Sequence, residues 1–124
     1  MKLAQYFEKH PKIVDVRYPG LESSQYHEIA KSQFNNDLYG GMISIDVGSY
    51  EKVKDLVRNF RLTKLVASLG CLTTSVSDTR TSHSGMKAEE RAKAGIADGV
   101  VRISVGLENA DDIIADFEEA LKKI

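Results

Sequence analysis

The sequence predicts a single compact α/β domain. Helical and strand patterns alternate along all 124 residues, with no linker, low-complexity segment or internal repeat between them. Hydrophobic residues make up 42% of the chain, which is enough for one real core. The 17 basic and 18 acidic residues give a net charge of -1 and form no block of one sign. Proteins that bind nucleic acids or membrane surfaces usually carry such a block, so we expect neither partner.

Patterns for targeting and for metal binding are missing from the sequence. No window reaches the roughly 18 apolar residues of a membrane span, and the N-terminus MKLAQYFEKH is too polar for a secretory signal. The single cysteine, Cys71, forbids an internal disulfide, and with His10, His27 and His83 it makes no metal-ligand spacing. We therefore expect a cytoplasmic protein without a metal site, in which Cys71 is a buried and inert thiol.

The first half of the chain predicts helices and strands with clear boundaries. A helix over residues 1–9 stops before Pro11, because proline cannot continue a helix. The alternating residues 13–18 then form a strand that ends at Pro19-Gly20. Ser23 or Ser24 then caps a helix with one apolar stripe, formed by Tyr26, Ile29, Ala30 and Phe34. The strand MISIDV follows Gly40-Gly41. Ser49 caps the next helix, whose apolar face consists of Val53, Leu56, Val57 and Phe60.

The second half predicts fewer regular elements before its last strand and helix. Residues 65–69 are expected to form a strand, and the Ser/Thr-rich stretch 70–84 a loop with no more than one short strand. A short helix over 87–94 ends at Gly95. After the last strand, the final helix has Asn109 as its cap, Asp111 and Asp112 in its first turn, Lys122 and Lys123 in its last, and Ile113, Ile114, Phe117 and Leu121 on one face.

Arg102 stands in the middle of the apolar, β-branched strand DGVVRISVGLE (98–108). Because strand side chains alternate, Val101 and Ile103 point to one face, whereas Arg102 and Ser104 point to the other. A guanidinium taken out of water without a partner costs several kcal/mol, and hydrogen bonds to a carboxylate or phosphate return about 1.5–3 kcal/mol each. Two interpretations stay open at this point: Arg102 binds an anionic ligand, or it is an edge-strand arginine paired with one of the 18 acidic side chains.

Two loop segments are further candidates for a site. In the turn Ser68-Leu69-Gly70, a small hydroxyl and a glycine would let backbone N–H groups approach a ligand, although the same residues also suit an ordinary turn. His83, in TSHSG, either lines the site or faces solvent.

Several segments, taken together, resemble one enzyme family. They are YPGL (18–21), GGMISIDV (40–47), SLG (68–70), TSHSGMKAEERAKAGIADGVVRISVGLE (81–108) and ADDIIADFEEAL (110–121). In this order the chain resembles, over nearly all its length, the C-terminal domain of the pyridoxal phosphate (PLP)-dependent enzymes of cysteine and methionine metabolism. This group contains the cystathionine synthases and lyases and methionine γ-lyase. The resemblance implies the small two-layer α/β domain of fold-type I PLP enzymes, and we expect a mainly antiparallel sheet of about four strands with helices chiefly on one face.

The resemblance also implies which residues bind the substrate. In this family the arginine of the strand that matches VVRISVG binds the α-carboxylate of the amino-acid substrate, and the serine of the SLG turn helps to orient it. We therefore expect Arg102, Ser68 and Leu69 to bind substrate.

The resemblance further implies that the catalytic residues lie outside this chain. In the family, the lysine that binds PLP covalently and the phosphate-binding residues belong to a larger N-terminal domain, and none of those motifs occurs here. Lys64, after Leu62-Thr63, only superficially fits such a lysine, because no glycine-rich phosphate loop accompanies it. We expect residues 1–124 to be one C-terminal domain with no catalytic residue and no bound PLP, inactive alone. Its partners would be the large PLP-binding domain and the other subunits of a homotetramer.

The substrate subgroup depends on few residues in this part of the family. Cystathionine-processing enzymes commonly have a glutamate just before the SLG serine, whereas this chain has Ala67, which is more similar to the methionine γ-lyase group. Cys71 replaces a common glycine, and the loop SVSDTRTSH lacks the usual His-Pro. Elimination and replacement reactions both stay open. So do two other classes of function: a stand-alone amino-acid-binding regulatory module and an oligomerisation domain.

Overall fold

A five-stranded sheet with helices packed on it forms the domain in the computed structural model, which describes residues 1–124. None of the helices is long and apolar enough to cross a membrane. Along the chain the elements are α1 (Lys2–Lys9), β1 (Asp15–Arg17), α2 (His27–Gln33), β2 (Met42–Asp46), α3 (Tyr50–Arg58), β3 (Lys64–Leu65), β4 (Ser75–Asp78), α4 (Thr79–Ser82), α5 (Ala88–Lys93), β5 (Val100–Ser104) and α6 (Ala110–Leu121).

The sheet confirms the predicted architecture and has one strand more than expected. Its strand order is β1-β2-β5-β4-β3, so that β5 lies at the centre. The pairs β1 with β2, β2 with β5 and β4 with β5 are antiparallel, whereas β3 runs parallel to β4. The sheet is therefore mainly antiparallel, and the strand beyond the four with predicted ranges is β4, which lies inside the stretch 70–84.

One face of the sheet forms the core with the three longest helices, α1, α3 and α6. Ile45, Val76 and Ile103 on this face are almost completely buried. They belong to one cluster with apolar residues of those helices. The ring of Phe117 in α6 meets Phe7 and Phe60 edge-on, with centroids 4.9 and 4.7 Å apart, an arrangement that aromatic pairs prefer. The predicted placement of helices chiefly on one face is confirmed.

Side-chain caps explain why the two most regular helices begin where the sequence predicts. The Ser49 hydroxyl accepts a hydrogen bond from the Lys52 amide at the start of α3. The Asn109 side chain accepts one from the Asp111 amide at the start of α6. Each cap satisfies an amide that has no partner inside the helix.

Two predicted strands and one predicted apolar stripe are shorter or less buried than expected. The strand over 13–18 is limited to Asp15–Arg17, and the strand over 65–69 to Lys64–Leu65. Both lie at sheet edges, where only one neighbour supplies hydrogen bonds. In α2 only Ala30 is buried, whereas Tyr26, Ile29 and Phe34 are exposed. The apolar residues of this stripe recur at helical spacing, but no other element of the domain packs over them.

The stretch 70–84, expected to be a loop with no more than one short strand, contains the short, fully buried strand β4 and also the short helix α4. The strand is hard to recognise in the sequence because it is rich in serine and threonine. Thr74, Ser75 and Ser77 are all buried although their side chains are polar. Pairing with the central strand β5 supplies the backbone hydrogen bonds and overrides the local composition. Asp78 ends the strand and caps α4 by accepting a hydrogen bond from the Thr81 amide at 2.8 Å.

Asp116 is a buried acid in α6 that fastens the connection between α3 and β3. Its carboxylate accepts hydrogen bonds from the backbone amides of Arg61, Leu62 and Thr63 at 2.8, 3.1 and 2.8 Å. Burial by itself would raise the pKa of Asp116, but these amide donors outweigh it and hold the pKa below its ordinary value of 3.8. The ionised carboxylate therefore stabilises the fold.

We expect Asp116→Asn to lower the free energy of unfolding by about 2–3 kcal/mol at neutral pH, because charge-assisted hydrogen bonds to three amides are lost or weakened. Since the folded pKa lies below the unfolded one, this contribution is complete above the unfolded pKa and disappears as the pH falls through the folded pKa. Urea unfolding from neutral pH down to strongly acidic pH measures both effects. Asp112→Asn, in the exposed first turn of the same helix, is the matched control. Equal losses for the two variants would contradict the assigned role of Asp116.

Candidate functional site

Arg102 lies on the sheet face opposite the core, in the central strand β5. Pairing places Ser44 of β2 on one side of it and Ser77 of β4 on the other. Residues paired in this way point to the same face. The two small neighbours leave the long arginine side chain as the main projecting group of this row, and Arg102 is half-buried there.

No carboxylate of the chain pairs with Arg102, because none of the eight ion pairs includes it. Its hydrogen-bond partner is the carbonyl oxygen of Ser68, 3.5 Å from Nη2, which is at the limit of a hydrogen bond. The alternative of an edge-strand arginine in a surface salt bridge therefore does not match the structure, since β5 is the central strand. Most N–H donors of the Arg102 guanidinium therefore have no hydrogen-bond partner within the chain.

The turn Ser68–Gly70 lies beside Arg102, as this contact with the Ser68 carbonyl shows. The backbone amides of Ser68 and Leu69 donate no hydrogen bond. Gly70 has a φ of +70°, in the left-handed region that favours glycine. The structure thus brings together two of the predicted binding residues, Arg102 and Ser68, with unpaired amides in the same turn. Leu69 is 59% exposed and lies outside the core.

The segment that follows the turn is held by residues after β5. The Leu107 amide donates to the Leu72 carbonyl at 2.8 Å. The carboxylate of Glu108 accepts from both the amide and the hydroxyl of Thr74, at 2.6 and 2.8 Å. Burial tends to raise the pKa of Glu108, but the hydrogen bonds from Thr74 and from its own backbone amide keep it below its ordinary value. Gly106 is required in this region, because a Cβ there would lie 2.5 Å from the Leu72 oxygen.

The other candidate residues form no hydrogen bond with Arg102. Cys71 is exposed, with its Sγ 3.5 Å from the Ser68 hydroxyl, so the prediction of a buried thiol is wrong. Cys71 follows the turn at Gly70, and no helix or strand of the domain covers its thiol. His83 is half-buried and lies 3.0 Å from the hydroxyl of its neighbour Ser82. Lys64 is exposed on the edge strand β3.

The largest surface groove, with a volume of about 910 Å³, lies between β1 and α2 and includes neither Arg102 nor Ser68. Size alone would point to this groove as a binding site. We give more weight to Arg102, because the groove lacks a charged group without a partner: its charged pair, Asp15 and Arg17, forms an ion pair. Arg102 itself is half-buried and has no carboxylate partner in the chain.

No lysine of the chain is buried. All eleven lysines are exposed or half-buried. The half-buried pair is already engaged: Lys12 donates to carbonyls at the end of α6, and Lys54 pairs with Glu51. A lysine that forms a Schiff base needs a desolvated pocket that lowers its pKa. No group of three or more His, Cys, Asp or Glu side chains is arranged to hold a metal ion.

Comparison with known proteins gives the family. The model of the family described as Cys/Met metabolism PLP-dependent enzyme matches residues 1–122. The chain belongs to this family. Its resemblance to the family, inferred above from the sequence segments, is thereby confirmed, and PLP is the cofactor of the enzymes in it.

Individual relatives of this PLP-dependent family agree in sequence and in fold. The chain is 48% identical over 125 residues to the L-methionine gamma-lyase of Fusobacterium nucleatum subsp. polymorphum, covering 99% of this chain and 31% of that protein. It is 45% identical to the cystathionine beta-lyase of Bacillus subtilis, over 99% of this chain and 31% of the relative. A crystal structure from Campylobacter jejuni, described as an O-acetylhomoserine (thiol)-lyase, superposes with a TM-score of 0.92 at 35% identity, covering 98% of this chain and 29% of that one. The chain therefore spans less than a third of the length of these relatives.

Three serines on the Arg102 face had no role in the sequence interpretation. Ser44 and Ser77 flank Arg102, and Ser104 contacts the Ser68–Gly70 turn. The alternation of β5 indicates the side on which Ser104 lies. The partners of Arg102 depend on strand register, and the Ser/Thr-rich composition of 70–84 does not show where its short strand lies.

The exposed thiol has a direct consequence. We expect the Cys71 thiol to react with a thiol-specific reagent such as dithionitrobenzoate in the native protein, at a rate close to that of the unfolded chain, because no element covers it. The measurement is the rate of colour release with and without denaturant. Protection by several orders of magnitude in the native state would contradict the exposed position of Cys71.

Proposed function

We propose that this chain is the substrate-carboxylate-binding domain of a PLP-dependent enzyme that acts on sulfur-containing amino acids. Arg102, with the turn Ser68–Gly70, binds the α-carboxylate of the substrate. A larger PLP-binding domain supplies the covalent cofactor site and the catalytic groups. The single observation that carries the proposal is Arg102 itself, a half-buried guanidinium in a central strand without an internal carboxylate partner.

The chemistry of the donors supports a carboxylate as the ligand. A guanidinium presents parallel N–H groups that match the two oxygens of a carboxylate, and charge assistance makes such hydrogen bonds shorter and stronger than neutral ones. The unpaired amides of Ser68 and Leu69 add neutral donors in the adjacent turn. The same group of donors would bind any amino acid by its carboxylate, so it does not select the side chain.

Binding of the carboxylate also orients the substrate. Two hydrogen bonds to a planar group fix both its position and its rotation, and such positioning lowers the barrier to reaction as well as the dissociation constant. In the complete enzyme, the fixed carboxylate would set which bond at Cα is aligned for cleavage. PLP supplies electron withdrawal at the same carbon when it is bound by the other domain.

For the substrate class, we propose sulfur amino acids or homoserine esters, with elimination or replacement at the β- or γ-carbon. Relatives at 38% to 48% identity carry the names methionine gamma-lyase, cystathionine lyase and O-acetyl-L-homoserine sulfhydrylase. Ala67, directly before the SLG turn, offers no charge to a second amino group and favours methionine over cystathionine. Assembly as a homotetramer and a cytoplasmic location belong to the same proposal.

A chimera tests the proposed domain role. The matching segment of the Fusobacterium L-methionine gamma-lyase is replaced by this chain, and the elimination activity on L-methionine is measured. We expect the chimera to bind PLP and to be active, because the identity of 48% extends along the whole domain. In this chimera Arg102→Lys should raise KM by about 10- to 150-fold, since the loss of the bidentate fork costs about 1.5–3 kcal/mol.

The matched control for Arg102→Lys is Arg17→Lys. Arg17 pairs with Ser44, which pairs with Arg102, so both arginines lie on the same sheet face. Arg17 is exposed and already bound to Asp15. We expect KM of the control to equal that of the unmodified chimera. An unchanged KM in Arg102→Lys would refute the carboxylate assignment.

We further expect the chain alone to be catalytically silent. Purified residues 1–124, mixed with PLP and L-methionine, should release keto acid and ammonia no faster than PLP in buffer, because no lysine is buried to form the covalent cofactor site. Keto-acid detection measures this, with the active chimera as positive control. Turnover above that of free PLP would contradict the proposed division of labour.

A further inference from the structure

The segment between Val66 and Thr74 leaves the sheet and returns to it with little backbone support. Of the seven backbone amides from Ala67 to Thr73, only that of Gly70 donates a hydrogen bond. The acceptor is the hydroxyl oxygen of Ser104, 2.9 Å away. The Ser104 hydroxyl is thus the one acceptor for a backbone amide of this segment. Without it, the backbone of the segment would be held only by hydrogen bonds to its carbonyls.

The position of Ser104 is fixed by the central strand of the sheet. It is in the central strand, two residues after Arg102 and therefore on the same face of the sheet. Its residue surface is only 3% exposed. The strand that carries the Arg102 cation thus also carries the anchor of the turn beside it. Any displacement of the turn relative to Arg102 has to break this hydrogen bond.

We propose that Ser104 is a positioning residue, which fixes the turn Ser68–Gly70 beside Arg102 so that the two parts of the candidate binding site stay in register. Ser104 does not touch the ligand, since its hydroxyl is buried beneath the turn and already bound to Gly70. The identity of the ligand rests on the proposed function. The anchoring of the turn does not, and it can be measured without a ligand.

Ser75 offers an unusually close internal control. It faces Ser104 across the pairing of β4 with β5 and is 4% exposed. Its hydroxyl has no hydrogen-bond partner. Removing either hydroxyl leaves a cavity of similar size at similar depth, but only the loss at Ser104 releases the turn. The difference between the two alanine variants therefore isolates the anchor from a general effect on packing.

The experiment compares Ser104→Ala, Ser75→Ala and Ser104→Thr in the chain of residues 1–124, by NMR relaxation of the backbone amides. For Ser104→Ala we expect the order parameter of Gly70 to fall from the rigid range to below about 0.6. Ser75→Ala and Ser104→Thr should keep Gly70 as rigid as in the unmodified chain, because both retain a hydroxyl at position 104. Thermal unfolding of all variants confirms that they are folded. A rigid Gly70 in Ser104→Ala, or an equally mobile one in Ser75→Ala, would overturn the proposal.

The chimera described above connects the anchor to binding. Ser104→Ala should raise KM for L-methionine by about fivefold, the effect of one hydrogen bond, with kcat changed less than KM. Ser75→Ala should leave KM unchanged. A mobile turn with unaltered KM would overturn the positioning role. If instead Arg102→Lys leaves KM unchanged, the carboxylate assignment fails, while the order parameter of Gly70 still decides whether Ser104 anchors the turn.

Discussion

The pairing of β5 on both sides is the constraint on which the rest of the domain depends. As the central strand, β5 pairs with β2 over all five of its residues and with β4 over four of them, and the alternation of its side chains gives the sheet two unlike faces. Val101 and Ile103 point into the core beneath α1, α3 and α6, where burial of apolar area supplies the main driving force for folding. Arg102 and Ser104 point away from it. A shift of one residue in register would exchange the two sets and bury the charge, so the core itself determines where Arg102 projects.

Near Arg102, some hydrogen-bonding groups have partners inside the chain and others have few or none. Ser104 and Glu108 are bound to the 68–74 segment, and their partners are backbone amides whose positions do not vary with side-chain rotamer. The Arg102 guanidinium and the Ser68 and Leu69 amides, in contrast, have little or no engagement inside the chain. In the proposed binding site, donors that are ordered before the ligand arrives would reduce the entropy lost on binding.

Under the proposed function, the chain would orient the substrate, and a larger domain would hold PLP. Orientation of a carboxylate needs a cation and a rigid support, and both are present. Covalent attachment of a cofactor needs a buried lysine, and none is present. The chain spans less than a third of the length of its PLP-dependent relatives. The exposed apolar side chains near the turn, at Leu65, Val66, Leu69, Leu72 and Leu107, are consistent with a face that another part of the complete enzyme covers.

The sequence by itself determined the α/β class, the caps of α3 and α6, the two faces of β5 and the family, because these depend on local periodicity, single capping residues and contiguous motifs. Only the tertiary structure decided the bounds and burial of β4, the exposure of Cys71, the exposed stripe of α2 and the contact of Ser104 with Gly70. Each of these depends on a partner distant in the chain: β5 pairs with a serine-rich segment that has little strand character of its own, and no helix covers α2 or the turn at Gly70. Local pattern identifies which residues are apolar or polar, whereas the pairing of distant segments determines which of them meet.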